Sequence, residues 1–174
     1  MTARVVVIGV GNPFRRDDGA GPAVVRRLAG NVPAHVRLVE SDGEPTRLLD
    51  AWSGADLAVV VDAVRSDAVH SPGVAAGTVH DVRDPAALLP IAAASSHAVP
   101  LTVALDLAAA LGRQPARLVV YGIEGADFGD GVGLSPPVAR SAAAVAGELA
   151  DLLAGDTAGR RVAGPHHQDP PGMP

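Results

Sequence analysis

Neither cysteine nor lysine occurs anywhere in the 174 residues. Without cysteine there is no thiolate nucleophile, no disulfide and no sulfur metal site; without lysine there is no Schiff base and no phosphate-cradling loop of the type that ends in lysine. Chemistry is left to carboxylates, imidazoles, hydroxyls or a metal. Aromatics are only 2% of the chain and the net charge is -5, so there is neither a base-stacking surface nor a basic face for a phosphate backbone. Nucleic acid is not an expected partner. No apolar run approaches the ~20 residues of a membrane span. The chain enters a strand-like segment at Arg4 with no basic region and cleavable apolar stretch before it. The expectation is a cytoplasmic protein with no membrane partner.

What is abundant is Ala and Val, which supply most of the 48% apolar fraction. A core of small and β-branched side chains suits close packing of helices on a sheet, and the length suits one domain. Val5 to Val10 is a continuous apolar run closed by Gly11, the pattern of a strand buried on both faces. Val24, Val25 and Leu28 then mark a helix stopped by Gly30 and preceded by Asp17, Asp18 and Pro22. A second strand is expected over Val36 to Val39, a short helix over Pro45 to Trp52, and a third strand over Leu57 to Val61, ending at Asp62. Gly77 to Val82 reads as an edge strand, followed by a Pro- and Ala-rich connection through Ala94. Leu101, Leu105, Leu107 and Leu111 support a helix over 99–111, and Arg117 to Ile123 another buried strand. Ser135 as N-cap and Pro136 at the first position open a last helix with a stripe of Val138, Val145, Leu149 and Leu152. Strands alternating with helices predict a parallel sheet, with the domain at 1–154 and a mobile Pro/Gly/His-rich tail at 155–174 that holds His166 and His167.

In such a sheet ligands gather beyond the carboxyl ends of the strands. Asp17 and Asp18 follow the first strand, Asp42 the second, Asp62 ends the third and Glu124 follows the last. Carboxylates brought together repel, so the cluster implies a cation, a shared proton or compensating dipoles. Asp62 stands out because a carboxylate after five apolar strand residues needs a partner, a metal or else the N–H groups of a nearby helix or turn. One of Asp17 and Asp18 is expected to cap the helix beginning near Gly19; Asp18 is read as facing the cleft and Asp17 as steadying the turn, although the reverse fits the sequence too. His97, in the Ser95-Ser96-His97 loop, is either a surface residue or the imidazole that completes a metal site with open coordination positions.

Other patterns fail. Gly9-Val10-Gly11-Asn12-Pro13-Phe14 has Phe where a dinucleotide fingerprint needs its third glycine, and the acidic pair behind it would repel a pyrophosphate. There is no HExxH, and Ser135-Pro136-Pro137 lacks the closing glycine of a nucleophile elbow.

Gly9-Val10-Gly11-Asn12-Pro13, Asp17-Asp18-Gly19, Gly21, Val61-Asp62-Ala63, Ser95-Ser96-His97, Gly122-Ile123-Glu124 and Gly133-Leu134-Ser135-Pro136, in that order, resemble the hydrogenase maturation proteases. The resemblance implies a single-domain α/β fold, a three-layer α/β/α sandwich with a mainly parallel twisted sheet. It implies an endopeptidase that removes the C-terminal extension of a nickel-iron hydrogenase large-subunit precursor after nickel is installed. The catalytic and metal residues it implies are Asp18, Asp62 and His97, reading nickel supplied by the substrate, for which other divalent ions can substitute; relatives often have Glu where Asp18 stands, so the reach here is shorter. The family turn after the second strand fits at Asp42 and Gly43 and departs at Glu44 and Pro45. Cleavage runs either through nickel polarising the carbonyl or activating a water, or through a carboxylate base such as Asp42 or Glu124. Two other classes stay open: a nucleotide or small-ligand binding module using the Gly-rich first loop, and a non-enzymatic nickel chaperone.

Overall fold

The computed structural model describes residues 3–65, 73–84, 87 and 98–156. His97, the connection around Ala94 and the tail beyond 156 lie outside the described residues. Five strands form one sheet: β1 (Val5–Val10), β2 (Val36–Ser41), β3 (Leu57–Val64), β4 (Val79–Val82) and β5 (Leu118–Glu124). Their order is β2-β1-β3-β5-β4, parallel throughout except for the antiparallel edge strand β4. Central β1 and β3 are buried along their whole length, as their unbroken apolar runs require.

Four α-helices are described: α1 (Ala20–Leu28), α2 (Pro45–Trp52), α3 (Ala98–Leu111) and α4 (Pro136–Asp156). They pack in pairs, α1 with α4 and α2 with α3. Val7, Val59, Val61 and Ile123 face the first pair, while Ile8, Ala58, Val60 and Val120 face the second. The alternation of the strands thus splits the core into two layers and gives the expected α/β/α sandwich.

Several expectations shift by a few residues. β3 runs on to Val64 and β5 to Glu124, so Asp62 and Glu124 lie within strands instead of following them. Leu101 is buried as expected, but Leu111 is 55% exposed, and small Ala104 and Ala108 take the other buried positions of α3. In α4 the buried stripe is Val138, Ala142, Val145, Leu149 and Leu153, with Leu152 at its margin. That helix runs to Asp156. Glu44 and Pro45 have a local reason: Glu44 caps α2, its carboxylate accepting from Thr46 N–H at 3.1 Å and Arg47 N–H at 2.9 Å, with Pro45 at the first helical position.

Candidate active site

Glycine brings α1 down onto the sheet. A Cβ on Gly21 would collide with the carbonyl oxygens of Val10 and Val61, and one on Gly9 with the carbonyl of Gly21. The helix therefore starts directly over β1 and β3, preceded by a 3-10 turn at Arg16–Gly19 that also packs on β3. Asp17 and Asp18 sit in this turn, both fully buried. Arg16 carries a φ of 49°, a left-handed conformation that side chains disfavour, as the chain turns into the acidic pair.

Neither aspartate caps α1, whose N-cap is Gly19 with no side-chain hydrogen bond; that expectation is corrected. Asp17 reaches across the fold instead. Its Oδ2 accepts from Ala126 N–H at 2.8 Å, Asp127 N–H at 3.0 Å and the Ser135 hydroxyl at 2.9 Å, and its Oδ1 from Ser135 N–H at 2.6 Å. Burial alone pushes the Asp17 carboxyl up, but the Ser135, Asp127 and Ala126 N–H groups together with the Ser135 hydroxyl outweigh it and hold the group below the ordinary Asp value. Asp17 is a clasp between the β1 loop and the loop leading into α4. Backbone bonds reinforce it, Arg16 N–H to Gly131 carbonyl at 2.9 Å and Gly131 N–H to Phe14 carbonyl at 2.8 Å.

Asp18 turns its carboxylate to the β1 loop, where Oδ2 accepts from Asn12 N–H at 3.0 Å. Asp62, 4% exposed, rises from β3 at the carboxyl edge of the same sheet. The register defines one row there: Ser41 beside Val10, Val10 one step past the Gly9–Val61 pair and so beside Asp62, Asp62 beside Gly122, and Gly122 beside His80. Residues in a row share a face, here the one covered by α2 and α3. An open groove of about 320 Å³ lies at the β1–β2 end of this edge, lined by Gly11, Val39, Glu40, Ser41, Asp42 and Arg47. Asp42 is bound there by Arg47 at 2.9 Å.

The acidic edge is thus differentiated. Asp17 is held by backbone amides and a hydroxyl, Asp42 by Arg47 and Glu124 by His80; Asp18, which accepts from Asn12 N–H, and Asp62 are further buried carboxylates at the same edge of the sheet. Among the described residues no three His, Asp or Glu side chains form a metal cage; the third proposed ligand, His97, falls outside them. Sequence reasoning passed over His80, whose only signal was its alternation with Val79 and Asp81 in a short edge strand.

A sequence model of the hydrogenase maturation proteases matches residues 22–151, three quarters of the chain. The chain belongs to the hydrogenase maturation protease family. The matched span takes in Asp62 and His97 and begins just after Asp18. Hydrogenase expression/formation protein HupD of Rhodobacter capsulatus is 31% identical over 141 residues, covering 78% of this chain and 64% of that protein, so the chain spans less than two thirds of this curated relative. The NiFe hydrogenase maturation protease HybD from Thermococcus kodakarensis superposes with a TM-score of 0.70 at 27% identity, covering 87% of this chain and 99% of that one. The hydrogenase maturating endopeptidase HybD from E. coli superposes at 0.75 over 88% of this chain and 93% of that one; at 23% identity it supports the fold alone. This member of the family has no described helix long and apolar enough to cross a membrane.

Proposed function

We propose that the chain is an endopeptidase that removes the C-terminal extension of a nickel-loaded nickel-iron hydrogenase large-subunit precursor, acting in the cytoplasm. Asp18, Asp62 and His97 approach the nickel that the precursor's own cysteines hold, and that contact seats the scissile peptide in the cleft. The observation that carries this reading is a pair of buried carboxylates, Asp18 and Asp62, at the carboxyl edge of the sheet in a chain of this family. Two carboxylates and an imidazole form a hard, nitrogen-and-oxygen donor set that suits a borderline divalent ion and leaves positions for the precursor's sulfurs. The groove along Val39–Asp42 offers the neighbouring stretch of precursor a place to lie.

The test is to incubate the protein with nickel-loaded and nickel-free precursor and to weigh the products. Shortening of the nickel-loaded form alone supports the proposal. An unchanged precursor that has gained nickel identifies a chaperone instead, and cleavage indifferent to nickel removes the metal from recognition.

A further inference from the structure

The chain holds four aromatic residues, and three of them, Trp52, Tyr121 and Phe128, are buried. Phe14 is the exception. At 68% exposed it stands with Val132, at 66%, as the two most exposed large apolar residues among those described. The fold sets these two, remote in sequence, on one feature. Arg15 and Gly131 form a parallel bridge, with Gly131 N–H donating to the Phe14 carbonyl at 2.8 Å and Arg16 N–H to the Gly131 carbonyl at 2.9 Å. Phe14 precedes one member of the bridge and Val132 follows the other. Single apolar residues on a surface are ordinary, whereas an exposed aromatic paired with a second apolar side chain is the composition of a surface that a partner covers.

The patch is held still and adjoins the candidate site. Phe14 N–H donates to Asn12 Oδ1 at 2.9 Å, Arg15 N–H to the Asn12 carbonyl at 3.0 Å, and the Arg15 guanidinium to the Phe128 carbonyl at 3.4 Å. The Asp17 clasp ties the same two loops through Ala126, Asp127 and Ser135. A surface fixed in this way gives up little conformational freedom when it is covered. Asn12 also gives its own N–H to Asp18 Oδ2 at 3.0 Å, so two hydrogen bonds lead from the Asp18 carboxylate to the backbone of Phe14. Whatever protein occupies the site therefore reaches the patch as well.

We infer that Phe14 and Val132 form a docking patch for the precursor, taking apolar side chains from the surface beside its scissile segment; the inference rests on the endopeptidase reading. The patch touches the precursor before and during cleavage alike, so it lowers KM and leaves kcat as it is.

The experiment measures cleavage of nickel-loaded precursor by wild type, Phe14→Ser, Phe14→Leu, Val132→Ser and Leu111→Ser, with the Tm, the sedimentation and the precursor Kd of each. Serine at position 14 keeps the N–H that Asn12 holds. Leu111 is the control: it is 55% exposed, at the end of α3 that leads into the start of β5 and so at the opposite edge of the sheet. The F14S protein should show KM and Kd raised by about tenfold to a hundredfold, with kcat and Tm unchanged. The F14L protein should recover most of that affinity, the V132S protein should lose less than F14S, and L111S should match wild type. An F14S protein with the wild-type KM and Kd overturns the inference and leaves the peptidase reading standing. An equal loss in L111S overturns it too, because location would then not matter. Tm and kcat that fall together at constant KM make the turn structural and also overturn it. A wild-type dimer that F14S splits while KM holds gives the patch to a second copy instead. A wild type that never shortens the precursor ends the endopeptidase reading, and the Kd values then decide the patch by themselves.

Discussion

Asp17 and Asp62 are both buried carboxylates at one edge of one sheet, yet their surroundings assign them opposite tasks. Asp17 spends both oxygens on three backbone N–H groups and a hydroxyl more than 100 positions away in sequence, so that two loops close over it. Asp62 stands between Val61 and Ala63 in a strand that is buried throughout, level with Gly122 and His80. One is consumed by architecture. The other lies in a row where three strands present titratable or small groups to the α2–α3 face.

The sharpest way to break this contrast is to neutralise Asp62. Asp62→Asn should lower cleavage of nickel-loaded precursor by about a thousandfold or more, ~4 kcal/mol of transition-state stabilisation. Its Tm should fall by less than that of Asp17→Ala, since the amide keeps the size and much of the hydrogen-bonding capacity of the carboxylate. Equal losses of activity and Tm would merge Asp62 with Asp17 and end the distinction. Asp17→Ala should behave in the opposite sense. Stranding its buried donors should cost about 3 kcal/mol or more, which lowers Tm by roughly 6–12 °C in a domain of this size, read by calorimetry.

Acid sharpens the same comparison. The folded pKa of Asp17 lies below its unfolded value, so the stability it contributes is fully present above the unfolded pKa of about 3.9 and disappears as pH falls through the folded value. Denaturant midpoints should drop below about pH 4 in wild type, and the Asp17→Asn protein should show a flatter decline from a lower start. A slope that is the same in both would assign the acid sensitivity elsewhere. A smaller effect is expected at the helix that carries the pair. Gly21→Ala, whose added methyl meets two strand carbonyls, should cost about 1–3 kcal/mol of stability by overpacking. It should also weaken cleavage, because Asp18 is placed by that helix start.

How much of this could be read from the sequence follows from how local each signal is. Val5–Val10 and Leu57–Val61 announced central strands because burial on both faces leaves an unbroken apolar run. Pro45 and Pro136 marked helix starts because proline is tolerated there and not beyond. Asp18 and Asp62 were legible as edge carboxylates, since each is set by the strand beside it. The work of Asp17 was hidden, because its partners Ala126, Asp127 and Ser135 reach it only through the finished fold. His80 was hidden for the same reason: its bond to Glu124 spans 44 positions and depends on β4 running antiparallel. The Ala104–Ala108 face of α3 escaped because alanine carries little periodic signal beside leucine.

The row through Ser41, Val10, Asp62, Gly122 and His80 imposes a parity on the chain. Side chains alternate with a period of two, so deleting a single residue between Leu57 and Asp62 would deliver the aspartate to the α1–α4 side, away from its neighbours. Surface loops of this protein can lengthen or shorten without moving the row, while each strand feeding it tolerates insertions only in pairs.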